Sequence, residues 1–132
     1  MNKNKTLEQF KWVDTHCHLQ LWSNEIDEND LFNLEYVVIP GVDVESSLKA
    51  KQVSNSLKKL SEWSAGLHPH QASEFETLKQ SLDALFIEAD LIGETGLDYY
   101  RNLSSKEDQI GSFLYHLEVG DKLSKPVIVH CR

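Results

Sequence analysis

This sequence lacks any run that approaches the roughly 18 consecutive apolar residues of a membrane-spanning helix, so we expect no membrane partner. The basic start of the chain, residues 1–5, is not followed by an apolar segment, and we therefore expect no signal peptide and a cytoplasmic location. Cysteine is also rare, with Cys17 and Cys131 as the two examples. A disulfide between them is not expected in a reducing compartment. We predict that both are small, buried apolar side chains.

Positive charge is scarce as well, with 13 Lys and Arg against 21 Asp and Glu and a formal net charge of -8. Broad, sequence-independent binding to nucleic acid depends on Lys and Arg that neutralise phosphates, so this balance argues against it. A nucleic-acid substrate is still compatible with the charge, because metal ions and a few local cations can hold phosphate in a cleft. The length of 132 residues, 40% of them hydrophobic and 26% charged, is typical of one globular domain, which we place at 1–132.

Short apolar segments alternate with amphipathic segments along the chain. The spacing predicts strands over 12–18, 36–39, 63–67, 91–94 and 126–130. It predicts helices over 44–60 and 75–89, and a third helix that follows a capping-box pattern formed by Ser104 and Glu107. Asp43 is suited to cap the first helix. The resulting order β, β-α, β-α, β-α, β favours an α/β fold with a parallel sheet and outer helices.

Apolar residues at helical spacing predict the buried face of each helix. In the first helix this stripe comprises Ala50, Val53, Leu57 and Leu60. In the second it comprises Phe75, Leu78, Leu82, Leu85 and Ala89. In the third it comprises Ile110, Phe113, Leu114 and Leu117. We expect these faces to pack on the sheet and the last strand, 126–130, to be buried.

A His-x-His pair ends the first apolar segment. In a strand, alternate side chains share a face, so His16 and His18 point the same way and Cys17 points opposite. Further polar residues stand at the ends of later predicted strands, namely His68, Glu94 and His130. In (β/α) barrels the active site lies at the carboxyl ends of the strands. Histidines and a carboxylate that meet there are suited to Zn, Mn or a related divalent ion.

Four segments of the chain carry a resemblance to a known family: 14–19, 66–70, 92–100 and 126–132. In order and spacing they closely resemble the TatD-like metal-dependent deoxyribonucleases. The Gly-Glu-x-Gly-Leu-Asp-Tyr stretch that begins at Gly93 is the discriminating element, because His-x-His is common to many metallohydrolases. Thr95 replaces an aliphatic residue that often follows this glutamate in the family.

The resemblance implies roles for six residues. His16 and His18 would bind one metal, His130 would bind a second, and Glu94 would bridge both and act as the catalytic residue. His68 would lie near the substrate phosphate, and Arg132 would help to hold it. The implied cofactors are divalent ions (Zn, Mg or Mn), up to two in the complete family site. The implied reaction is cleavage of phosphodiester bonds of DNA by a metal-activated water.

The resemblance also implies a partial (β/α) TIM-type barrel of about five parallel strands, because a closed barrel has eight strands and about 250 residues. In the family a further histidine and an aspartate of the site lie on the sixth and eighth strands, after the segment that resembles this chain. We therefore expect an open barrel whose edge strands associate with a partner, a second copy included. This leaves an alternative function: a catalytically incomplete half-barrel that binds metal weakly and self-associates. A third hypothesis, an amidohydrolase or another phosphoesterase, is disfavoured by the segment from Gly93 to Asp98.

Several other polar residues have simpler interpretations. We expect His116 to be a packing or surface residue and His70 to be solvated or a hydrogen-bond partner. Asp98 is expected to support a ligand or fix its loop. The acidic run at Glu25, Asp27, Glu28 and Asp30 is expected to be a solvated face.

Overall fold

A computed structural model describes residues 10–23, 25–57 and 60–132 of the chain. Its strands are β1 (Trp12–Asp14), β2 (Leu34–Ile39), β3 (Leu60–Ala65), β4 (Leu91–Leu97) and β5 (Val127–Cys131). Its α-helices are α1 (Val44–Ser56), α2 (Phe75–Glu88) and α3 (Lys106–Leu123), with short 3-10 helices at Leu19–Leu21, Glu28–Leu31 and Pro69–Glu74. The strands form one parallel sheet in the order β1-β2-β3-β4-β5. The predicted α/β fold with a parallel sheet is therefore confirmed.

The sheet is open. Within the described part of the chain, β1 and β5 form its two edges, and each pairs with a strand on one side alone. The core lies between the sheet and the three α-helices, where burial of each large apolar side chain stabilises the fold by about 1.5–3 kcal/mol. Its fully buried members include Val37, Ile39, Leu67, Leu82, Phe86 and Ile92.

The helix caps agree with the sequence in one case and differ in the other. The Asp43 carboxylate accepts a hydrogen bond from the Ser46 N–H (2.6 Å), and the Ser46 hydroxyl accepts one from the Asp43 N–H (3.1 Å), so α1 begins with a capping box. The cap of α3 is Ser105, which accepts from the Asp108 N–H, rather than the predicted Ser104. Ser104 is buried, where its hydroxyl donates to the His70 carbonyl (3.0 Å).

The first helix is shorter than predicted. It ends at Ser56, and Leu57 already has an extended backbone. Leu60, predicted to lie on the helical stripe, instead begins β3, pairs with Tyr36 of β2 and is 66% exposed. Pairing with a neighbouring strand therefore outweighs the helical spacing of this leucine.

The third helix presents a different face to the sheet from the one predicted. Ile110, Leu114 and Leu117 are exposed. The buried residues of α3 are instead Gln109, Ser112, His116 and Gly120. Gln109 and His116 can be buried here because their side chains have partners: Gln109 accepts from the Asp98 N–H and donates to the Ser104 carbonyl, and His116 accepts from the Leu67 N–H.

The last strand is not fully buried, contrary to prediction, because it is an edge of the sheet. Val129 is 50% exposed and Cys131 is exposed, so the prediction of a buried Cys131 is also wrong. Cys17 packs against the core but is partly rather than fully buried, so its prediction holds only in part. Among the described residues, no helix combines the length and apolar character needed to cross a membrane.

Candidate metal centre

The two N-terminal histidines follow β1 rather than lie within it, because the strand ends at Asp14 instead of continuing to residue 18. Their rings nevertheless converge, with the Nε2 atoms of His16 and His18 3.1 Å apart. The Nδ1 of His18 donates to the Pro40 carbonyl oxygen (2.9 Å) at the end of β2. Because a carbonyl can only accept, Nδ1 carries a proton. In the neutral ring Nε2 then presents its lone pair to the site, whereas in the protonated ring Nε2–H donates toward Glu94.

Glu94 lies between two pairs of histidines. The residue lies on β4. Its Oε2 is 3.1 Å from His16 Nε2 and 3.5 Å from His18 Nε2. Its Oε1 is 3.0 Å from His130 Nδ1 and 3.9 Å from His68 Nε2. Each carboxylate oxygen therefore faces a different pair. The sequence predicted all five of these side chains, and the structure brings all five together.

The Glu94 side chain is buried but ionised. Burial by itself raises the pKa of this carboxyl, but the hydrogen bond from His18, the charge of His16 and the hydrogen bond from His130 outweigh it and lower the pKa to about 2. In return, the hydrogen bond to Glu94 raises the pKa of His18. The centre therefore keeps one negative charge among neutral or positive imidazoles at neutral pH.

Asp98 orients the His130 ring. Its Oδ2 is 3.2 Å from His130 Nε2 and 2.8 Å from His70 Nε2, and its Oδ1 accepts from the Arg101 N–H (2.9 Å). The Arg101 hydrogen bond, followed by those of the two histidines, holds the pKa of this buried carboxyl well below its usual range. Since an ionised carboxylate only accepts, His130 carries a proton on Nε2. In the neutral ring Nδ1 then has the lone pair that could hold a cation, whereas in the protonated ring Nδ1–H donates to Glu94. Such a carboxylate partner is typical of metal-binding histidines.

His68 has the opposite arrangement of protons. Its Nδ1 accepts from the backbone N–H of His70 (3.2 Å), so the neutral ring carries its proton on Nε2. That Nε2 lies 3.2 Å from His130 Nδ1 and faces the centre. Burial, followed by the charges of His130 and His70, lowers the pKa of His68 to about 4, so the ring is neutral near pH 7. His68 is therefore placed to donate a hydrogen bond into the site.

Arg132 lies beside the centre rather than among its histidines. Its backbone N–H donates to the Leu97 carbonyl, and its guanidinium carbon is 4.4 Å from the centre of the Tyr100 ring. Sequence reasoning did not identify Tyr100, nor did it identify the Pro40 carbonyl that fixes His18. Neither residue type signals a site by itself, since both act through loop geometry.

The donor atoms fit a divalent cation. Two groups have ligand atoms that lie within 4.8 Å of one another: His16, His18 and Glu94, and His68, Glu94 and His130. Imidazole nitrogens with a carboxylate oxygen are a ligand set that divalent transition metals accept. In the second group, Nε2 of His68 carries a proton and has no free lone pair for a metal. His130 and Glu94 are therefore the stronger metal ligands of that group.

Comparison with solved structures defines the architecture. A hydrolase TatD family protein from Entamoeba histolytica matches 93% of this chain and 50% of its own chain, with a TM-score of 0.76 and 20% sequence identity. A TatD homologue from Escherichia coli matches 92% of this chain and 51% of its own, with a TM-score of 0.74 and 23% identity. At these identities the likeness shows the fold. The five parallel strands are an open half of a TIM-type barrel, as predicted.

The chain belongs to the TatD related DNase family, which matches residues 13–132. The 3'-5' ssDNA/RNA exonuclease TatD of Pectobacterium atrosepticum is 35% identical over 101 residues, which cover 73% of this chain and 38% of that protein. The protein of the same name from Escherichia coli K12 is 33% identical over 100 residues, with the same coverage. The chain therefore spans less than two-fifths of the length of these relatives.

Proposed function

We propose that residues 1–132 form one domain of a metal-dependent hydrolase that cleaves phosphodiester bonds of nucleic acid. The observation that carries this proposal is Glu94, whose two oxygens each face a separate pair of histidines. A carboxylate in that position can share its oxygens between two cations. The family match and the exonuclease names of the relatives support the same class of reaction.

Three residues are proposed to hold a first cation and two a second. His16, His18 and Glu94 supply the first set, and Glu94 with His130 Nδ1 supplies the second. A bound divalent ion lowers the pKa of a coordinated water and neutralises charge on a phosphodiester. The donor set favours Zn or Mn over Mg.

The remaining residues are proposed to bind and orient the substrate. His68 Nε2–H points into the centre as a neutral donor, which suits a phosphate oxygen. Asp98 holds the His130 ring in place through its Nε2–H. Arg132 adds a positive charge beside the centre, where the surrounding protein is acidic overall. We propose a single-stranded nucleic acid as the substrate, in line with the names of the relatives.

The test is hydrolysis of an end-labelled single-stranded DNA oligonucleotide with Mn²⁺, Zn²⁺ or Mg²⁺, and with EDTA as the metal-free reference. We expect metal-dependent cleavage by the wild type and a loss of at least about 100-fold in Glu94→Ala, because the shared ligand is removed. Glu118→Ala, an exposed carboxylate on α3, is the matched control. Equal residual activity in the wild type and Glu94→Ala would overturn the proposal for this chain.

A second candidate function is favoured by the open sheet. The edge strands expose apolar side chains, with Val13 58% and Val129 50% exposed. An exposed apolar edge is a template for pairing with another chain. We propose on this basis that the domain self-associates through β1 and β5. In this alternative to catalysis, the half-barrel binds metal weakly.

Light scattering over a range of protein concentrations tests this second function. A charge on the edge opposes pairing, so Val129→Lys is expected to shift the population toward monomer. Leu48→Lys is the matched control, since Leu48 is 44% exposed on α1, which packs on the central strand β3 rather than on an edge strand. A monodisperse wild-type monomer at all concentrations contradicts self-association.

A further inference from the structure

An aromatic ring and a cation stand together beside the metal centre without any role in the core. The Tyr100 ring is 75% exposed, and the Arg132 guanidinium carbon lies 4.4 Å from its centre. We call this pair the Tyr100 platform. Next to it, Lys106 Nζ lies 4.8 Å from the centre of the Tyr99 ring. An exposed ring gains little stability from burial, so the fold itself does not require Tyr100.

The backbone holds the platform firmly. The Arg132 N–H donates to the Leu97 carbonyl (3.0 Å), and the Tyr99 N–H donates to the Arg132 carbonyl (3.1 Å). The Asn102 N–H donates to the Asp98 carbonyl (3.2 Å), which closes the turn that carries Tyr100. The ring is therefore presented by a hydrogen-bonded turn that continues the β4–β5 ladder.

The platform adjoins the metal centre. Asp98 contacts His130 directly, with 3.2 Å between carboxylate oxygen and Nε2. Tyr100 is two residues beyond Asp98, and Arg132 is two residues beyond His130. Two residues of backbone span at most about 7 Å. A molecule that contacts the platform can therefore also reach the cations proposed at Glu94.

The chemistry of the platform suits an unpaired base and its phosphate. Every nucleobase has a flat face that can stack on an exposed aromatic ring, and a nearby guanidinium adds a cation–π contact and a phosphate partner. Arg101, Lys106 and Arg132 place three cations in this region of a chain whose net charge is -8. Local cations of this kind concentrate phosphate where the rest of the surface repels it.

We propose that the Tyr100 platform is a nucleotide subsite, in which Tyr100 stacks on one unpaired base and Arg132 pairs with the adjoining phosphate. The next phosphodiester of the strand then lies at the metal centre. This inference rests on the proposed function, because that function makes a nucleic acid the expected ligand. A base within a duplex is already stacked on both faces, so the subsite selects single strands and frayed ends.

The test measures binding without turnover. In EDTA, the fluorescence anisotropy of a labelled single-stranded DNA oligonucleotide reports its affinity for wild type, Tyr100→Ala and Tyr100→Phe. We expect Tyr100→Ala to weaken binding roughly 10-fold, within the range for one stacked base. Tyr100→Phe keeps the ring and is expected to stay within about twofold of wild type. Phe32→Ala is the control, because Phe32 is 69% exposed just before β2 begins, whereas the metal centre lies at the carboxyl ends of the strands.

An oligonucleotide with abasic sites separates stacking from phosphate binding. Wild type and Tyr100→Ala are expected to bind the abasic oligonucleotide with equal affinity. Arg132→Ala is expected to lower the affinity for both the normal and the abasic oligonucleotide. Circular dichroism confirms that each variant is folded. If Tyr100→Ala binds the normal oligonucleotide as tightly as wild type, or if wild type binds none, the subsite is overturned.

The two proposals fail in different ways. Tyr100-dependent binding without metal-dependent cleavage would keep the subsite and overturn the proposed hydrolase. Cleavage that Glu94→Ala abolishes and Tyr100→Ala leaves unchanged, with unchanged affinity, would keep the hydrolase and overturn the subsite.

Discussion

The hydrogen-bond partners of the imidazoles decide which ring nitrogen each histidine offers to the centre. The Pro40 carbonyl and the Asp98 carboxylate accept from His18 and His130, so each of these rings turns a lone pair inward when it is neutral. The His70 N–H donates to His68, so this ring turns a proton inward. Residue type alone therefore does not distinguish a metal ligand from a donor to substrate.

Removal of the charge of Asp98 is predicted to weaken metal binding without loss of the fold. In Asp98→Asn the partner of His130 Nε2–H is neutral, so the ring is less basic and less firmly oriented. We expect the Zn²⁺ or Mn²⁺ affinity to fall by about 10- to 100-fold in competition with a chromophoric chelator. Asp121→Asn, on the exposed side of α3, serves as the control. Equal affinities of Asp98→Asn and wild type would refute this role.

A buried histidine makes the stability depend on pH. His116 is fully buried in α3, where Nδ1 donates to the Ser112 carbonyl and Nε2 accepts from the Leu67 N–H. Burial lowers its pKa to about 4 from an ordinary value of 6.5. Because the neutral ring is favoured only in the folded state, its contribution is complete above pH 6.5 and is lost as the pH falls through about 4. One pKa unit corresponds to about 1.4 kcal/mol, so the full loss is about 3 kcal/mol.

His116→Gln is predicted to reduce the loss of stability at acid pH. A glutamine has an amide donor and an acceptor in place of the imidazole, but it does not titrate. The free energy of unfolding in urea, compared at pH 7.5, 6 and 5, is expected to fall more steeply for wild type than for His116→Gln. Identical pH dependence in the two proteins would show that another group is responsible.

At the scale of elements, the sequence predicted the order of strands and helices better than the faces of the helices. Periodicity located α3, but apolar spacing selected Ile110 and Leu114, which are exposed. Two other features determine which face of α3 is buried. One is close contact between α3 and the sheet at Gly120, and the other is hydrogen bonding of buried polar side chains such as Gln109. A Cβ on Gly120 would lie 2.4 Å from Val127 Cγ2, so glycine sets how near α3 lies to β5. Such contacts depend on distant residues and leave no periodic signal.

Two glycines are predicted to respond to alanine in opposite ways. A Cβ on Gly66, after β3, would lie 2.3 Å from the backbone carbon of Gly93, so Gly66→Ala forces β3 and β4 apart. We expect a loss of about 3 kcal/mol, at the upper end for overpacking. Gly111 lies in α3 with open space around its Cβ position, so Gly111→Ala is expected to stabilise the helix by about 0.5–1 kcal/mol. Thermal unfolding of both variants beside wild type checks the pair, and a stable Gly66→Ala would contradict the close approach.

At the scale of the whole molecule, the candidate site follows from topology. Parallel strands bring their carboxyl ends to one edge, so His16, Glu94 and His130 meet although they are far apart in sequence. Strand order and residue type were sufficient to predict this meeting. The protons on the rings and the Tyr100 platform were not predicted, because they depend on loop hydrogen bonds that no strand pattern encodes.

The open sheet explains why the last strand is more exposed than expected. Val129 and Cys131 lie on β5, which is an edge in the described part of the chain, and both are exposed. The five central side chains of the site nevertheless converge on the strands that are present. The half-barrel is therefore sufficient to assemble this constellation of donors.

The proposed metal centre depends on Glu94, whose two carboxylate oxygens face separate pairs of histidines. Equilibrium dialysis against Mn²⁺ or Zn²⁺, followed by elemental analysis of the protein, measures how many ions each chain holds and how tightly. We predict up to two ions for wild type, and for Glu94→Gln a loss of at least one ion together with at least about a tenfold weaker affinity for the other. If Glu94→Gln binds the same number of ions with the same affinity as wild type, Glu94 is not a shared ligand and the account is wrong.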